Sequence, residues 1–331
     1  MHLAVTKRTG KCCRNNSAGG PNLDTTDFCP TSFGRRFSGH TYLTSLCVVA
    51  VALSSLPLWG EDRPSNVSHL QERASNGDID AQFKLGLAYE TGQAVPQDFA
   101  QAARWYQRAA DAGSSGAQTN LGNLYAEGKG VAQDDAMALR WYFRAAVQGY
   151  PAAENNLGCM YFSGKGDLQP DYNEAVRWFE KAAERSPRAE SNLATLYLKG
   201  LGVPRDLVKA GKLYLAAAKH GNLYAQAAVA WMYEHGIGFR QNIGESLKWN
   251  RAAAQHGNPR ALNNLAYAYE HGLGVPRDVA QAAQLYRQAA ELGLPEAQLN
   301  SAIISSKENK DRGEAIEANG TPASNLPFGV P

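Results

Sequence analysis

Residues 117–152 read AQTNLGNLYAEGKGVAQDDAMALRWYFRAAVQGYPA, and the landmarks of this stretch return along most of the 331-residue chain. The alanine that starts the stretch recurs every 36 residues, at Ala81, Ala117, Ala153, Ala189, Ala225, Ala261 and Ala297. A fixed period of this size is typical of a solenoid, in which each repeat is one supersecondary unit packed on its neighbours. The sequence therefore predicts about six tandem repeats of 36 residues.

The first part of each repeat has the pattern of an amphipathic helix. In residues 117–152 the apolar or small side chains are Ala117, Leu121, Leu124, Tyr125 and Gly128, which share one face at the helical period. We expect this helix to cover about 11 residues and to end at a G-x-G turn, because glycine accepts the left-handed conformation that ends a helix. The position of Gly122 is a glycine or alanine in every complete repeat, which indicates close approach of another helix.

The second part of each repeat also has helical signals. It starts with an Asp or Asn suited to N-capping and continues, in its clearest copies, as A-x-x-W-Y-x-x-A-A. Large rings opposite small alanines favour close packing, so we expect the aromatic column to be core. The predicted caps are Asp98, Asp134, Asp171, Asp206, Asn242 and Asp278. The fold class predicted is therefore an all-α solenoid of helix–turn–helix repeats.

The composition and the absence of several known motifs argue against some classes of partner, cofactor and catalytic site. The net charge of +2 provides no strong field for nucleic acid, and we expect no nucleic-acid partner. Only Cys159 of the five cysteines lies inside the repeats, which excludes paired cysteines within the array as a disulfide framework or a metal site. No phosphate-binding loop, H-E-x-x-H pair or G-x-S-x-G elbow is present. We therefore expect no cofactor, no metal and no catalytic activity.

The regions outside the repeats suggest export. Residues 1–40 are basic and lack a period, so we expect disorder, whereas residues 41–60 carry no charge and contain LCVVAVAL. This order is typical of a signal peptide, and the uncharged run is also about long enough for a membrane anchor. Residues 61–69 are predicted to be a linker, residues 70–305 the solenoid and residues 306–331 a disordered tail. The repeats would then lie in the periplasm or the secretory-pathway lumen, free or membrane-anchored.

The repeat resembles the Sel-1-like repeat, a relative of the tetratricopeptide repeat, in the pattern A-x-x-N-L-G-x-x-Y-x-x-G-x-G-V-x-x-D-x-x-x-A-x-x-W-Y-x-x-A-A-x-x-G. This resemblance implies a right-handed α/α superhelix and an adaptor that assembles protein complexes, often outside the bacterial cytoplasm or in the eukaryotic secretory pathway. Some exported relatives with a cysteine pair in each repeat are linked to β-lactam binding or hydrolysis, and this chain lacks those pairs.

The resemblance also implies that one face of the first helices lines a concave groove. Trp231 and Tyr267 are candidate binding anchors on this face, with packing between neighbouring first helices as the equal alternative. A metal held by the two repeated Glu-His pairs is conceivable, but solvated groove charges are the interpretation we favour. The predicted groove residues are Asn123, Asn155, Thr195, Lys199, Trp231, Glu234, His235, Asn263, Tyr267, Glu270 and His271.

An asparagine also recurs at the fourth position of the repeats. A ladder of amides of this kind offers donors and acceptors to an extended peptide, but we favour a structural role in which each amide satisfies the backbone of a neighbouring repeat. The ladder comprises Asn120, Asn156, Asn192, Asn264 and Asn300.

Three hypotheses for function remain. The first is a non-enzymatic scaffold whose groove binds a partner protein or peptide. The second is a cell-envelope hydrolase for β-lactam or peptidoglycan, based on family analogy alone. The third is a membrane-tethered assembly factor, which requires residues 41–60 to stay attached.

Overall fold

The computed structural model describes residues 66–306, and every regular element among them is an α-helix. The predicted disordered segment 1–40, the predicted signal or anchor 41–60 and residues 307–331 lie outside the described residues. The described chain divides into two compact units, residues 66–206 and residues 207–306. The helices of the first unit are α1 Asn66–Ser75, α2 Ile79–Thr91, α3 Phe99–Asp111, α4 Ser115–Glu127, α5 Asp135–Ala146, α6 Pro151–Ser163, α7 Tyr172–Ala183 and α8 Pro187–Lys199. Those of the second are α9 Leu207–Lys219, α10 Leu223–His235, α11 Ile243–Gln255, α12 Pro259–His271, α13 Val279–Glu291 and α14, residues 295–306.

Each complete repeat is a helix pair, as the sequence predicts. The first helices are α2, α4, α6, α8, α10 and α12, and the second helices are α3, α5, α7, α9, α11 and α13. The all-α solenoid prediction is confirmed by this alternation of first and second helices through six repeats.

The first helices begin two residues earlier than the sequence pattern indicates. In the first repeat Asp78 is the N-cap, and its Oδ1 accepts a hydrogen bond from the backbone N–H of Ala81 at 3.0 Å. Ser114, Ser186, Asn222 and Asn258 cap the equivalent helices in the same way. The recurring alanine is therefore the third helical residue, because its N–H is the one that the cap satisfies.

The G-x-G turn is confirmed, and it explains both glycines. Gly128 ends α4 with a φ of +66°, and its N–H donates to the carbonyl of Leu124. Gly130 has a φ of +68°, and a Cβ at this position would overlap the backbone carbonyl of Phe99 in the preceding repeat. The second glycine thus permits close contact between successive repeats in addition to the left-handed backbone. In the first repeat Ala94 takes the same conformation, with a φ of +65°.

The second helices provide the core. Asp98, Asp134, Asp171, Asn242 and Asp278 are N-caps as predicted, and each accepts a backbone N–H through its side chain. The predicted aromatic core is confirmed, since Tyr106, Phe179, Tyr214, Tyr142 and Tyr286 are all fully buried. In the second repeat, Gly122 of α4 leaves room for the ring of Tyr142, because a Cβ on Gly122 would lie 2.7 Å from that ring.

The two ends of the described chain differ slightly from the predicted boundaries. Helix α1 begins at Asn66, inside the predicted linker 61–69, and its Leu70 and Ala74 pack on the first repeat. Helix α1 closes the start of the array against Ala81, Leu85 and Trp105. At the other end α14 is a first helix without a second, and it includes residue 306 of the predicted tail.

Candidate functional site

The most accessible of the predicted groove residues lie on α10 and α12, in consecutive repeats of the second unit. Trp231 packs against His235, with ring centroids 5.1 Å apart, and Tyr267 packs against His271, with centroids 4.2 Å apart. Tyr267 is 37% exposed, both histidines are exposed and Trp231 is half-buried. The same aromatic–histidine pair is therefore presented twice, one repeat apart. We call these four residues the aromatic–histidine site.

Backbone contacts fix the two imidazole rings. His235 Nδ1 lies 3.0 Å from the carbonyl oxygen of Trp231, and His271 Nδ1 lies 3.0 Å from that of Tyr267. Because a carbonyl oxygen only accepts, Nδ1 carries the hydrogen in both rings. The neutral imidazole then keeps Nε2 as an acceptor for a donor from outside the chain.

The two neighbouring carboxylates differ in their surroundings. Glu270 Oε2 accepts a hydrogen bond from the Tyr286 hydroxyl at 3.1 Å and lies 4.0 Å from His271 Nδ1. Burial raises the pKa of the Tyr286 hydroxyl, and the charge of Glu270 raises it further, so this hydroxyl remains a donor. Glu234 is half-buried, and within residues 66–306 no Lys, Arg or His side chain forms an ion pair with its carboxylate. Glu270 is therefore held by a hydrogen bond within the protein, whereas the carboxylate of Glu234 is available to a ligand.

Three predicted groove asparagines bond to the next repeat. Asn123 Oδ1 accepts from Asn156 Nδ2 at 3.1 Å, and Asn155 Oδ1 accepts from Asn192 Nδ2 at 2.9 Å. In the second unit the equivalent contact joins the Asn300 donor to Asn263 Oδ1 at 3.0 Å. These amides link successive first helices, which is a structural use that the groove prediction did not include.

The structural role predicted for the asparagine ladder has support, but its partners differ from those predicted. All five ladder amides donate to a side chain of the preceding repeat, where we expected bonds to its backbone. Asn120, for example, donates to the Tyr106 hydroxyl at 3.0 Å, and that hydroxyl in turn donates to Glu90. Side chains at these positions of successive first helices come within hydrogen-bond distance of one another, at 3.1, 2.9 and 3.0 Å for Asn156, Asn192 and Asn300.

The remaining predicted groove residues are less accessible. Thr195 is 1% exposed and its hydroxyl donates to the Ser191 carbonyl at 3.1 Å, while Asn155 is 2% exposed. Lys199 is half-buried at the end of α8. The structure therefore places the accessible aromatic and histidine candidates on α10 and α12, one pair on each helix, and places Asn155 and Thr195 in the interior.

The described residues provide no cluster of side chains suited to a metal ion. Among residues 66–306, no three His, Cys, Asp or Glu side chains converge to hold a metal ion. Within the same range, no helix has both the length and the apolar character needed to span a bilayer. The chemistry that the aromatic–histidine site offers is recognition through rings, imidazole acceptors and a carboxylate.

Sequence reasoning missed one surface, on the outer side of α5. Phe143 is 48% exposed and Val147 is 61% exposed, and Arg140 and Arg144 lie beside them on the same helix. A comparison of the equivalent positions across the six repeats contains the signal, because these positions are polar in most other copies.

The helix pairs, their glycine turns and the asparagine contacts between first helices define the class of this protein, an α-solenoid of tandem repeats. Sel1 repeats match residues 79–114, 115–150, 151–186, 187–222, 223–258 and 259–294. The chain therefore belongs to the Sel1 repeat family. Proteins of this family are generally helical scaffolds for protein–protein interaction and are typically non-catalytic.

Two solved structures are similar to this chain. One is c5321, described as a protective antigen present in uropathogenic Escherichia coli strains, at 36% identity and a TM-score of 0.65. The match covers 73% of this chain and 52% of c5321, so the chain spans about half the length of that protein. The other is a Sel1 repeat protein from Oxalobacter formigenes, at 30% identity and a TM-score of 0.62, covering 68% of this chain and 90% of that protein. A comparison with curated proteins gave no match.

Proposed function

We propose that this protein is a non-enzymatic scaffold that binds a partner protein or peptide through the aromatic–histidine site. The observation that carries the proposal is the repetition of Trp231–His235 as Tyr267–His271 on consecutive first helices, with Tyr267 exposed. Aromatic side chains are among the residues that most often dominate the binding energy of protein interfaces. The general role of Sel1 repeats as interaction scaffolds supports this choice.

The proposed binding mode uses each group according to its chemistry. The rings of Trp231 and Tyr267 pack on apolar side chains of the partner, and the free Nε2 atoms of His235 and His271 accept its backbone or side-chain donors. Glu234 adds a carboxylate that is not paired with any Lys, Arg or His side chain of residues 66–306. The backbone contact at each Nδ1 holds the imidazoles in place before binding, which lowers the entropy lost on association.

We further propose that the scaffold works outside the cytoplasm, with residues 41–60 as the export signal or membrane anchor. The support is the uncharged segment after a basic one in the sequence. Cell fractionation followed by N-terminal sequencing tests this directly. A processed chain in the periplasm or lumen indicates a cleaved signal, an unprocessed chain in the membrane fraction indicates an anchor, and a cytoplasmic full-length chain contradicts export.

Site-specific photocrosslinking in cells tests the binding proposal. A photoreactive phenylalanine analogue replaces Tyr267 in one variant of the full-length chain and Gln288, an exposed residue of α13, in the matched control. We expect one discrete crosslinked protein from position 267 and none from position 288. Equal crosslinking from both positions, or none from position 267, contradicts a binding site at the aromatic–histidine site.

A further inference from the structure

The outer side of α5 carries an exposed stripe of two arginines and two large apolar residues. Arg140, Phe143 and Arg144 of α5 and Val147, its C-cap residue in the right-handed helical conformation, have the spacing i, i+3, i+4 and i+7, which places them along one side of the helix. Phe143 and Val147 are 48% and 61% exposed, and both arginines are exposed. An i, i+3, i+4, i+7 stripe is the pattern through which one helix packs on another. We call these four residues the α5 stripe.

The five other second helices serve as internal controls for the α5 stripe. The residues equivalent to Phe143 are Gln107, Glu180, Leu215, Arg251 and Arg287. Those equivalent to Val147 are Asp111, Glu184, Lys219, Gln255 and Glu291. Helix α5 is therefore the one second helix with large apolar residues at both positions. Because the repeat accepts polar residues there, the repeat itself does not require apolar residues at both positions; Phe143 makes a ring contact, edge-on to Trp178 with centroids 6.3 Å apart.

The charge of this surface is positive and uncompensated. Within residues 66–306, no carboxylate forms an ion pair with Arg140 or Arg144 on α5, or with Arg104 or Arg108 at the equivalent positions of α3. In contrast, the equivalent Arg177 of α7 forms an ion pair with Glu174. The unpaired arginines at these positions are thus confined to two neighbouring second helices of the first unit.

Two of these arginines are held in place by tryptophans. The guanidinium carbon of Arg144 lies 4.7 Å from the ring centroid of Trp141, and that of Arg108 lies 4.5 Å from the ring centroid of Trp105. Contact with the ring uses the face of the guanidinium and leaves N–H donors at its edge for a carboxylate. A partner carboxylate therefore meets guanidinium groups that have already lost part of their side-chain freedom.

A depression beside the α5 stripe has room for an apolar side chain. It measures about 460 Å³ and is lined by Met137, Leu139, Trp141, Phe143 and Tyr161, together with the two arginines of the stripe. An apolar group entering it is surrounded by aromatic and aliphatic side chains and flanked by two positive charges.

We propose that the α5 stripe binds an acidic amphipathic helix of a partner protein. Apolar side chains of that helix pack on Phe143 and Val147 and fill the depression, while Asp or Glu side chains beside them pair with Arg140 and Arg144. The stripe is about 10 Å long from residue i to i+7, which matches two turns of a partner helix with the same spacing. This proposal goes beyond the proposed function, because it uses second helices of the first unit and none of the aromatic–histidine site.

Selection from a peptide library tests the proposal although the partner is unidentified. The full-length chain is immobilised and exposed to a phage library of 20-residue helical peptides with randomised charged and apolar positions. We expect enriched peptides to be net negative and to carry apolar residues at i, i+3 or i+4, and i+7. Labelled synthetic copies are then measured by fluorescence anisotropy against the variants described next.

Two double variants and one matched control locate the binding. R140E/R144E and F143S/V147S change only exposed side chains, and each is expected to weaken binding at least about 100-fold, because charge pairs and apolar anchors act together at an interface. The control R287E/Q288E also introduces two carboxylates at exposed positions, here on α13, and should leave the affinity unchanged, as should W231A/Y267A. A peptide with Lys in place of Glu should bind R140E/R144E better than the wild type.

Three outcomes would overturn the proposal that the α5 stripe binds an acidic helix. Enrichment of basic or uncharged peptides, or acidic peptides whose affinity survives both double variants, overturns the proposal. Binding to phosphatidylglycerol vesicles that requires the α5 stripe, without any enriched peptide, also overturns it in favour of an anionic lipid surface. The variant W231A/Y267A changes only the aromatic–histidine site. Failure of the α5-stripe proposal is therefore distinguishable from failure of the proposal that the aromatic–histidine site binds a partner.

Discussion

Asn156 donates a hydrogen bond from Nδ2 to Oδ1 of Asn123, 33 positions earlier in the preceding repeat, at 3.1 Å. The same Oδ1 accepts from the hydroxyl of Tyr142 at 2.8 Å, so a single amide joins three helices. Asn156 is 6% exposed, and loss of its amide leaves buried polar atoms without their partner. This contact explains how first helices of successive repeats are held in register.

Replacement of Asn156 by alanine should therefore destabilise the protein. We expect the free energy of unfolding to fall by about 1–3 kcal/mol, because the orphaned groups lose a hydrogen bond and gain no water. Chemical denaturation followed by circular dichroism measures the change. The control is Asn173→Ala on the exposed side of α7, which should change stability by less than about 0.5 kcal/mol. Equal effects of the two changes would show that the amide contact is unimportant.

Gly122→Ala tests the close packing of the two helices in a repeat. The added Cβ would lie 2.7 Å from the Tyr142 ring, so the buried ring or the helix must shift, at a cost of about 1–3 kcal/mol. The matched control is Gly244→Ala in α11, where a Cβ meets only Asn242 Oδ1 at 3.3 Å. The control should be neutral or stabilising, because alanine favours a helix by about 1 kcal/mol over glycine. Thermal unfolding of both variants gives the comparison, and a stabilised G122A would refute the packing argument.

The second glycine of the turn provides a third prediction. Gly130→Ala combines a left-handed backbone with overlap against the Phe99 carbonyl, and we expect it to lower the unfolding free energy by more than about 2 kcal/mol. At the equivalent position of the first repeat, Ala94→Gly should raise it by about 1 kcal/mol, because alanine at a φ of +65° is strained. Urea denaturation of the two variants should thus give shifts of opposite sign. Shifts of the same sign are incompatible with this explanation.

Glu90 predicts a specific pH dependence. Burial raises its pKa above the ordinary value of 4.5; the hydrogen bond from Tyr106 opposes this shift and the charge of Glu127 adds to it. Above pH 4.5 the unfolded chain releases this proton while the folded chain retains it, so stability falls as the pH rises through the folded pKa. Glu90→Gln should remove this part of the fall, since the amide oxygen still accepts from Tyr106.

The measurement for Glu90 is urea denaturation at a series of pH values from 4 to 7, spanning about three units around and above the ordinary glutamate pKa. The exposed Glu72, changed to Gln, is the control. E90Q should gain stability relative to the wild type as the pH rises, whereas a constant difference between E90Q and wild type across the series contradicts a raised pKa.

The sequence predicts the repeats well because their signals are local. The caps at Asp98 and Asp134, the glycine turns and the buried tyrosines each follow from a few neighbouring residues. The start of the first helices was less predictable, because their first two residues lie outside the apolar pattern that defines the helix.

The candidate site was only partly predictable, because it depends on contacts between repeats. The sequence places Asn123, Asn155 and Tyr267 on the same face of three different first helices. Only the packed structure shows that the two asparagines bond to the next repeat, whereas Tyr267 is exposed. The α5 stripe was overlooked for a different reason. A single exposed Phe143 is ordinary on a protein surface, and it stands out only beside Val147, two unpaired arginines and the polar copies in other repeats.

The most direct test of the scaffold is the affinity of the protein crosslinked at position 267, measured by calorimetry against the full-length chain. W231A/Y267A and the exposed change His271→Ala should weaken binding by about tenfold or more, because aromatic anchors carry most of the energy of an interface. Leu292→Ala, a control at a residue that is 53% exposed away from the site, should bind as the wild type does. Unchanged affinity in folded W231A/Y267A and H271A would contradict the central claim that the aromatic–histidine site binds the partner.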